Sequence, residues 1–185
     1  MNHIVNNDRR VRKTKKALHD SLFTLLENKP LSAVTVTELC EIADINRSTF
    51  YKYYPDIEGM MEHIEDDLLK MVLQNCEVSA SFEEMMYAMI ETVFEHRDSF
   101  RHVYSSSRKF RFKDMFFTAK RQDVLNQIGR GVPVSDVEKE YIFSFLRATG
   151  GIMELWINRD FKETPAEIAA LCVRLINSVL AVCEV

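Results

Sequence analysis

The sequence is poor in the residues that break helices and shape tight functional loops: of 185 residues, 5 are glycine and 4 are proline. Turn-rich β architectures need both at short intervals. Their scarcity, with long stretches rich in Leu, Met, Glu, Lys and Ala, predicts an all-α fold. Common scaffolds of catalysis are missing too. There is no glycine-rich phosphate loop, no G-x-S-x-G elbow and no histidine clustered with acids at catalytic spacing, so neither an enzyme nor a cofactor is expected. No apolar run approaches the roughly 20 residues that span a bilayer. The start MNHIVNNDRR also lacks the apolar region of a signal peptide. The expectation is a soluble, cytoplasmic chain without membrane association.

Cysteine is sparse as well. Cys40, Cys76, Cys172 and Cys183 lie far apart among apolar neighbours, which predicts buried free thiols, with a redox-sensing pair as the alternative. His63, His96 and His102 stand near Glu62, Glu95 and Asp98. No two of these histidines stand at i, i+4 and there is no Cys-x-x-Cys, the spacings of a preformed metal site, so no metal is expected.

What the chain does have is an uneven charge. Its net charge is −4, yet residues 1–55 hold nine Lys or Arg against six acids, a balance of +3 that leaves −7 for the remainder. Six of those nine cations fall between Arg9 and Lys16. Binding a polyanion needs local positive charge, so the amino-terminal end is the candidate for DNA contact, with Arg9 to Lys16 read as an arm and helix start touching phosphate in preference to a solvated basic helix face.

The segment from Val34 to Tyr54, VTVTELCEIADINRSTFYKYY, reads as two short helices around a tight turn. Thr35 and Glu38 form a capping box, and Val36, Leu39, Ile42 and Ala43 are expected on one apolar face. After a turn at Ala43 to Asn46, Asn46 caps the next helix. There Phe50 and Tyr54, four apart, point inward, leaving Ser48 and Lys52 opposite and Thr49 and Tyr51 on the flanks. A helix-turn-helix presents such a second helix to the major groove. A preceding helix from Lys13 to Leu26, with Leu18, Leu22, Leu25 and Leu26 on one side, braces the pair. Asp56 caps a following helix striped by Met60, Met61, Ile64, Leu68, Met71 and Val72, running to about Cys76.

This stretch resembles the DNA-binding domain of TetR-type transcriptional regulators. The resemblance rests on the Thr35-Val36 helix start, the run Ile45-Asn46-Arg47-Ser48-Thr49-Phe50-Tyr51, and Tyr53-Tyr54-Pro55 leading into a long helix from Asp56. It departs at two places, with Asp44 where the family usually has Gly and Ile57 where Lys is common. The resemblance implies a helix-turn-helix domain over 1–55, a linker helix over 56–77 and an effector-binding and dimerisation domain over 78–185. With helix geometry, it assigns Arg47, Ser48, Tyr51 and Lys52 to base edges or nearby phosphates. Thr35, Thr37, Thr49 and Tyr53 anchor to the DNA backbone.

Beyond residue 78 come more capped helices. Ser81 with Glu84, Ser135 with Glu138 and Thr164 with Glu167 are capping boxes, and Pro165 sits at the first position of the last helix. A short helix near Asp98 to Ser105 and a basic helix from about Phe110 to Gly129 lie between, which makes about nine helices. The last two long helices carry more apolar surface than one packing face needs, and Gly150 and Gly151 would permit close approach. The resemblance implies a homodimer through these helices, with Phe143, Leu146, Leu155, Leu171, Leu175 and Val179 as interface candidates. It also implies a pocket for a small-molecule effector, with Met89, Phe100, Tyr104, Phe116, Arg147 and Met153 as candidate lining. The basic run Ser105 to Lys113 is an exposed face or an anion contact. The expected function is a ligand-responsive repressor binding a palindromic operator on double-stranded DNA. The alternative is an activator or coregulator acting through a protein partner with weak or no specific DNA binding.

Overall fold

The structure, a computed structural model, describes the backbone of residues 2–77, 79, 81–105, 112–128, 134–148 and 150–182, and side chains over the same ranges except 2–8, 127–128, 148 and 179–182. Among the described residues every regular element is helical. They run α1 (Asn2–Leu26), a 3-10 turn (Leu31–Ala33), α2 (Val36–Ala43), α3 (Arg47–Phe50), α4 (Ile57–Cys76), α5 (Phe82–Glu95) and α6 (Arg97–Ser105). Then follow α7 (Phe112–Ala119), α8 (Arg121–Ile128), α9 (Asp136–Ala148), α10 (Gly150–Asn158) and α11 (Pro165–Val182).

Among the described residues the expected nine helices appear as eleven segments, only one division of which falls on described backbone. The stretch from Phe112 divides at Lys120, while α9 and α10 are separated by Thr149, which lies outside the described residues. α1 is longer than the apolar pattern implied, because helix continues through the basic stretch back to Asn2.

The chain forms two compact units, residues 1–66 with 102–108, and residues 67–101 with 109–185. In the first, α1 packs on α2, and α2 on α3. Its core is Leu18, Leu22, Leu39, Phe50, Tyr54, Met60 and Met61, none more than 1% exposed. Burying each such side chain contributes about 1.5–3 kcal/mol before entropy is counted. Gly59 fits where little else does, since a Cβ there would lie 2.7 Å from Cγ of Pro55. The Asp56 carboxylate accepts from the Gly59 N–H at 2.7 Å and caps α4.

In the second unit α11 packs on α5, and α7, α8, α10 and α11 each meet α9. Of the three expected capping boxes, those at Ser135 and Thr164 form in full, and at Ser81 the hydroxyl half is in place. The hydroxyls of Ser81, Ser135 and Thr164 accept from the N–H groups of Glu84, Glu138 and Glu167 at 3.1, 3.3 and 3.3 Å. The Glu138 and Glu167 carboxylates return the bond to the backbone N–H of Ser135 and Thr164, each at 2.8 Å. Sequence reading missed the corner between α10 and α11, where Asp160 and Phe161 both take left-handed conformations, at φ 58 and 54. Packing holds that corner: Trp156 donates to the Glu163 carbonyl at 2.8 Å, its ring meets Phe161 edge-on, and Arg101 bonds Asp160 at 2.5 Å.

Candidate nucleic-acid interface

The reading head is organised from its buried side outward. Thr35 accepts from the Glu38 N–H at 3.3 Å and starts α2. The reciprocal half of the expected box is absent, because the Glu38 carboxylate pairs with Lys29 instead. α2 buries Leu39 and Cys40, while Ile42 is 49% exposed. The expected apolar face therefore shifts. Val36, Leu39, Cys40 and Ala43 follow i, i+3, i+4, i+7, and Ile42 falls off that stripe.

Asp44 then turns the chain at φ 53, ψ 46, with its N–H directed to the Cys40 and Glu41 carbonyls. The left-handed residue that the family usually supplies as glycine is thus accommodated by aspartate, which tolerates it better than most side chains. Asn46 caps α3, accepting from both the N–H and the hydroxyl of Ser48 at 2.9 Å. Regular helix spans only Arg47–Phe50; the chain continues through turns whose N–H groups at Tyr53 and Tyr54 bond the Phe50 carbonyl.

Phe50 and Tyr54 fix the orientation of this short element. They are 0% and 1% exposed, with ring centroids 5.7 Å apart. Nε2 of His19 on α1 lies 2.9 Å from the Tyr54 hydroxyl, and His63 on α4 meets the same ring edge-on at 5.4 Å. One buried tyrosine thereby ties the end of α3 to the helices before and after it. The sequence carried no local signal for this bond, whose partners stand 35 residues apart.

With that side buried, the opposite side faces outward. Arg47, Ser48, Tyr51 and Lys52 are exposed, as are Thr35 and Thr37, whereas Thr49 and Tyr53 are half-buried. Among the described residues neither Arg47 nor Lys52 has an ion-pair partner, leaving both charges for an external anion. On α1, Arg9, Arg10, Arg12, Lys13 and Lys16 are exposed, and Lys16 pairs with Asp20 at 2.7 Å. Lys15 leans over the Tyr54 ring, 5.8 Å from its centroid. Guanidinium, ammonium, hydroxyl and phenol groups on one exposed surface are of the types that contact phosphate oxygens and base edges.

The other candidates are placed as follows. Met89, Phe100 and Phe116 are buried, Tyr104 and Met153 half-buried, and Arg147 is exposed and paired with Asp114 at 2.7 Å. Phe143 and Leu146 are packed inside the protomer at 3% and 2% exposed, and Leu171 is half-buried. Leu155 and Leu175 stand out at 59% and 41%, while the Val179 side chain lies outside the described residues. Sequence reading missed a further stripe on α9, Val137, Tyr141 and Phe145, which the i, i+4, i+8 spacing would have revealed. Gly150 does permit close approach, since a Cβ would lie 2.2 Å from the Lys113 side chain; Gly151 faces open space. Most of the basic run from Ser105 lies outside the described residues.

Cys40, Cys76 and Cys172 are free and buried; Cys183 lies outside the described residues. Burial pushes the Cys76 and Cys172 thiols up to about 11, and raises Cys40 against the opposing charge of Arg47. All three are therefore protonated at neutral pH and poorly nucleophilic. Among the described residues no group of three His, Cys, Asp or Glu side chains is placed to hold a metal, and no helix is long and apolar enough to cross a membrane.

Comparison with known proteins agrees with this architecture. Residues 80–178 match a TetR-type family described as the transcriptional regulator C-terminal region, and the chain belongs to the TetR-type transcriptional regulators. It is 26% identical over 170 residues to YxbF of Bacillus subtilis (strain 168), described as an uncharacterized HTH-type transcriptional regulator, across 85% of this chain. The chain spans 43% of that relative's length. A TetR transcriptional regulator from Streptococcus agalactiae 2603V shares the fold with TM-score 0.68 and 21% identity, covering 94% of this chain and 98% of its own. The dihydroxyacetone kinase operon activator DhaS does so at 0.63 and 17%, covering 93% and 98%. These relatives are described as transcriptional regulators.

Proposed function

We propose that the chain is a ligand-responsive repressor that binds a palindromic operator as a homodimer in the cytoplasm. The observation that carries this reading is the two-sided element at residues 46–54. Phe50 and Tyr54 are buried while Arg47, Ser48, Tyr51 and Lys52 face outward on a capped, braced surface. Those four reach base edges or nearby phosphates, and Thr35, Thr37, Thr49 and Tyr53 hold the DNA backbone. α1 adds cations along the flanking phosphates.

One such head contacts too few bases for tight specific binding, and a two-fold pair reads two half-sites. The pairing surface is the apolar face formed on the last helices by Val137, Tyr141, Phe145, Leu155 and Leu175, each at least 41% exposed in the single chain. A small-molecule effector within the carboxy-terminal unit shifts the dimer away from its operator-bound state.

Selection of bound sequences from random duplex DNA tests the reading. A palindrome is expected, with affinity falling steeply as salt rises. Arg47→Ala and Tyr51→Ala are expected to abolish specific binding while the dimer stays folded. A flat salt response, or no selected sequence, would overturn direct operator binding in favour of action through a protein partner.

A further inference from the structure

Among the described residues, Lys120 is the one lysine or arginine that is buried, at 9% exposed. It occupies the middle of an apolar stripe. Phe116, Lys120 and Val124 stand at i, i+4 and i+8, and the backbone bonds of a helix run through the junction between α7 and α8. Lys120 N–H donates to the Phe116 carbonyl at 2.9 Å, and Val124 N–H to the Lys120 carbonyl at 3.0 Å. Phe116 and Val124 are 2% and 1% exposed, so this stripe is the inward one. An ammonium in that place is costly unless something pairs with it.

The pairing it has is thin. Its Nζ bonds Asp123 at 3.2 Å, and that carboxylate is itself 58% exposed; among the described residues Lys120 has no other ion-pair partner. An ammonium carries three donors, so two are left for an incoming acceptor. The neighbouring Arg121, by contrast, is committed to Glu140 at 2.5 Å and to the face of Phe143. The neighbours of Lys120 one turn to either side, Phe116 and Val124, are apolar and buried. The Lys120 charge acts on the buried Cys76 thiol at the end of α4, and that sulfur lies 3.7 Å from the Met85 carbonyl oxygen. Met85 is 4% exposed and Met89, one turn along α5, 8%. Unbranched methionine side chains repack around an apolar guest more readily than branched ones.

We propose that Lys120 anchors the carboxylate of an amphipathic monoanionic effector whose apolar body lies among the methionine and phenylalanine side chains of the carboxy-terminal unit. One ammonium suits one negative charge. The chain beyond residue 55 carries −7, which opposes a multiply charged phosphate ester. The inference rests on the ligand-responsive reading above, and supplies its chemical class and its anchoring residue.

The test uses the full chain and calorimetric titration with decanoate, 4-phenylbutyrate and the uncharged decanol. The wild-type protein is expected to bind at least one carboxylate more tightly than decanol, by about ten- to hundredfold, the scale of a charge-assisted hydrogen bond. Lys120→Met is expected to lose that preference and Lys120→Arg to restore most of it. Lys70→Met, which removes an exposed lysine of α4, is expected to leave it unchanged. If neither carboxylate binds, or Lys120→Met keeps the preference, the site is overturned. Titrating the same probes against the DNA-bound protein separates the two readings. Carboxylate binding at Lys120 without DNA release leaves the site standing and overturns the ligand response. Absence of binding beside intact, palindromic DNA selection overturns the site alone.

Discussion

Asp44 shows how one residue can depart from a family's habit without changing its geometry. At φ 53 it sits where L-residues pay for a Cβ close to the following carbonyl, a cost of about 1–2 kcal/mol that aspartate partly escapes. Asp44→Gly is therefore expected to change unfolding free energy by under about 1 kcal/mol, gaining in the turn what it loses to chain entropy. Asp44→Val is expected to lower it by about 1–2 kcal/mol, since a β-branched side chain is least compatible with this region. Urea denaturation of both variants measures the difference. The neighbouring Ile57 makes a different point. It stands where the family commonly has lysine, and at 7% exposed it serves the core of the reading head.

Element boundaries were legible wherever a capping side chain and a backbone N–H stand two or three residues apart. Thr35, Asn46, Asp56, Ser81, Ser135 and Thr164 were all assigned as caps from spacing alone, and each makes or receives the expected bond. At Glu138 the Ser135 hydroxyl and then its backbone N–H hold the carboxyl below the usual glutamate range, and at Glu167 the Thr164 backbone and hydroxyl do the same. A carboxyl lowered in the folded state stabilises fully above the unfolded glutamate value of about 4.3, and this stabilisation fades as pH falls through the folded value. Glu138→Gln with Glu167→Gln should then melt lower than wild type at neutral pH and converge with it on acidification. Thermal melts between about pH 7 and pH 3 measure this. The burial of Lys120 and the Asp160-Phe161 corner were not legible, because the first depends on which surface other helices cover and the second is joined by Arg101 from 59 residues away.

At the scale of the whole molecule, the apolar excess of the last helices was visible in the sequence, but its division was not. Phe143 and Leu146 went to the protomer's own core, whereas Tyr141 and Leu175 remain 74% and 41% exposed. In the proposed dimer these exposed residues are the contact. Tyr141→Lys combined with Leu175→Lys is expected to yield a monomer of unchanged helicity in sedimentation velocity and circular dichroism, with operator affinity lost. A persistent dimer would move the interface elsewhere.

The sequence by itself determined the helical class, the caps, the buried pair Phe50 and Tyr54 and the outward set beginning at Arg47. All of these follow from contacts within a few residues, set by the 3.6-residue period and the needs of helix ends. Only the tertiary structure decided that His19 would bond Tyr54, that Glu38 would leave its capping box for Lys29, that Ile42 would face out and that Lys120 would face in. Each of those depends on which surface another helix covers, and that choice is made by the packing of the whole chain.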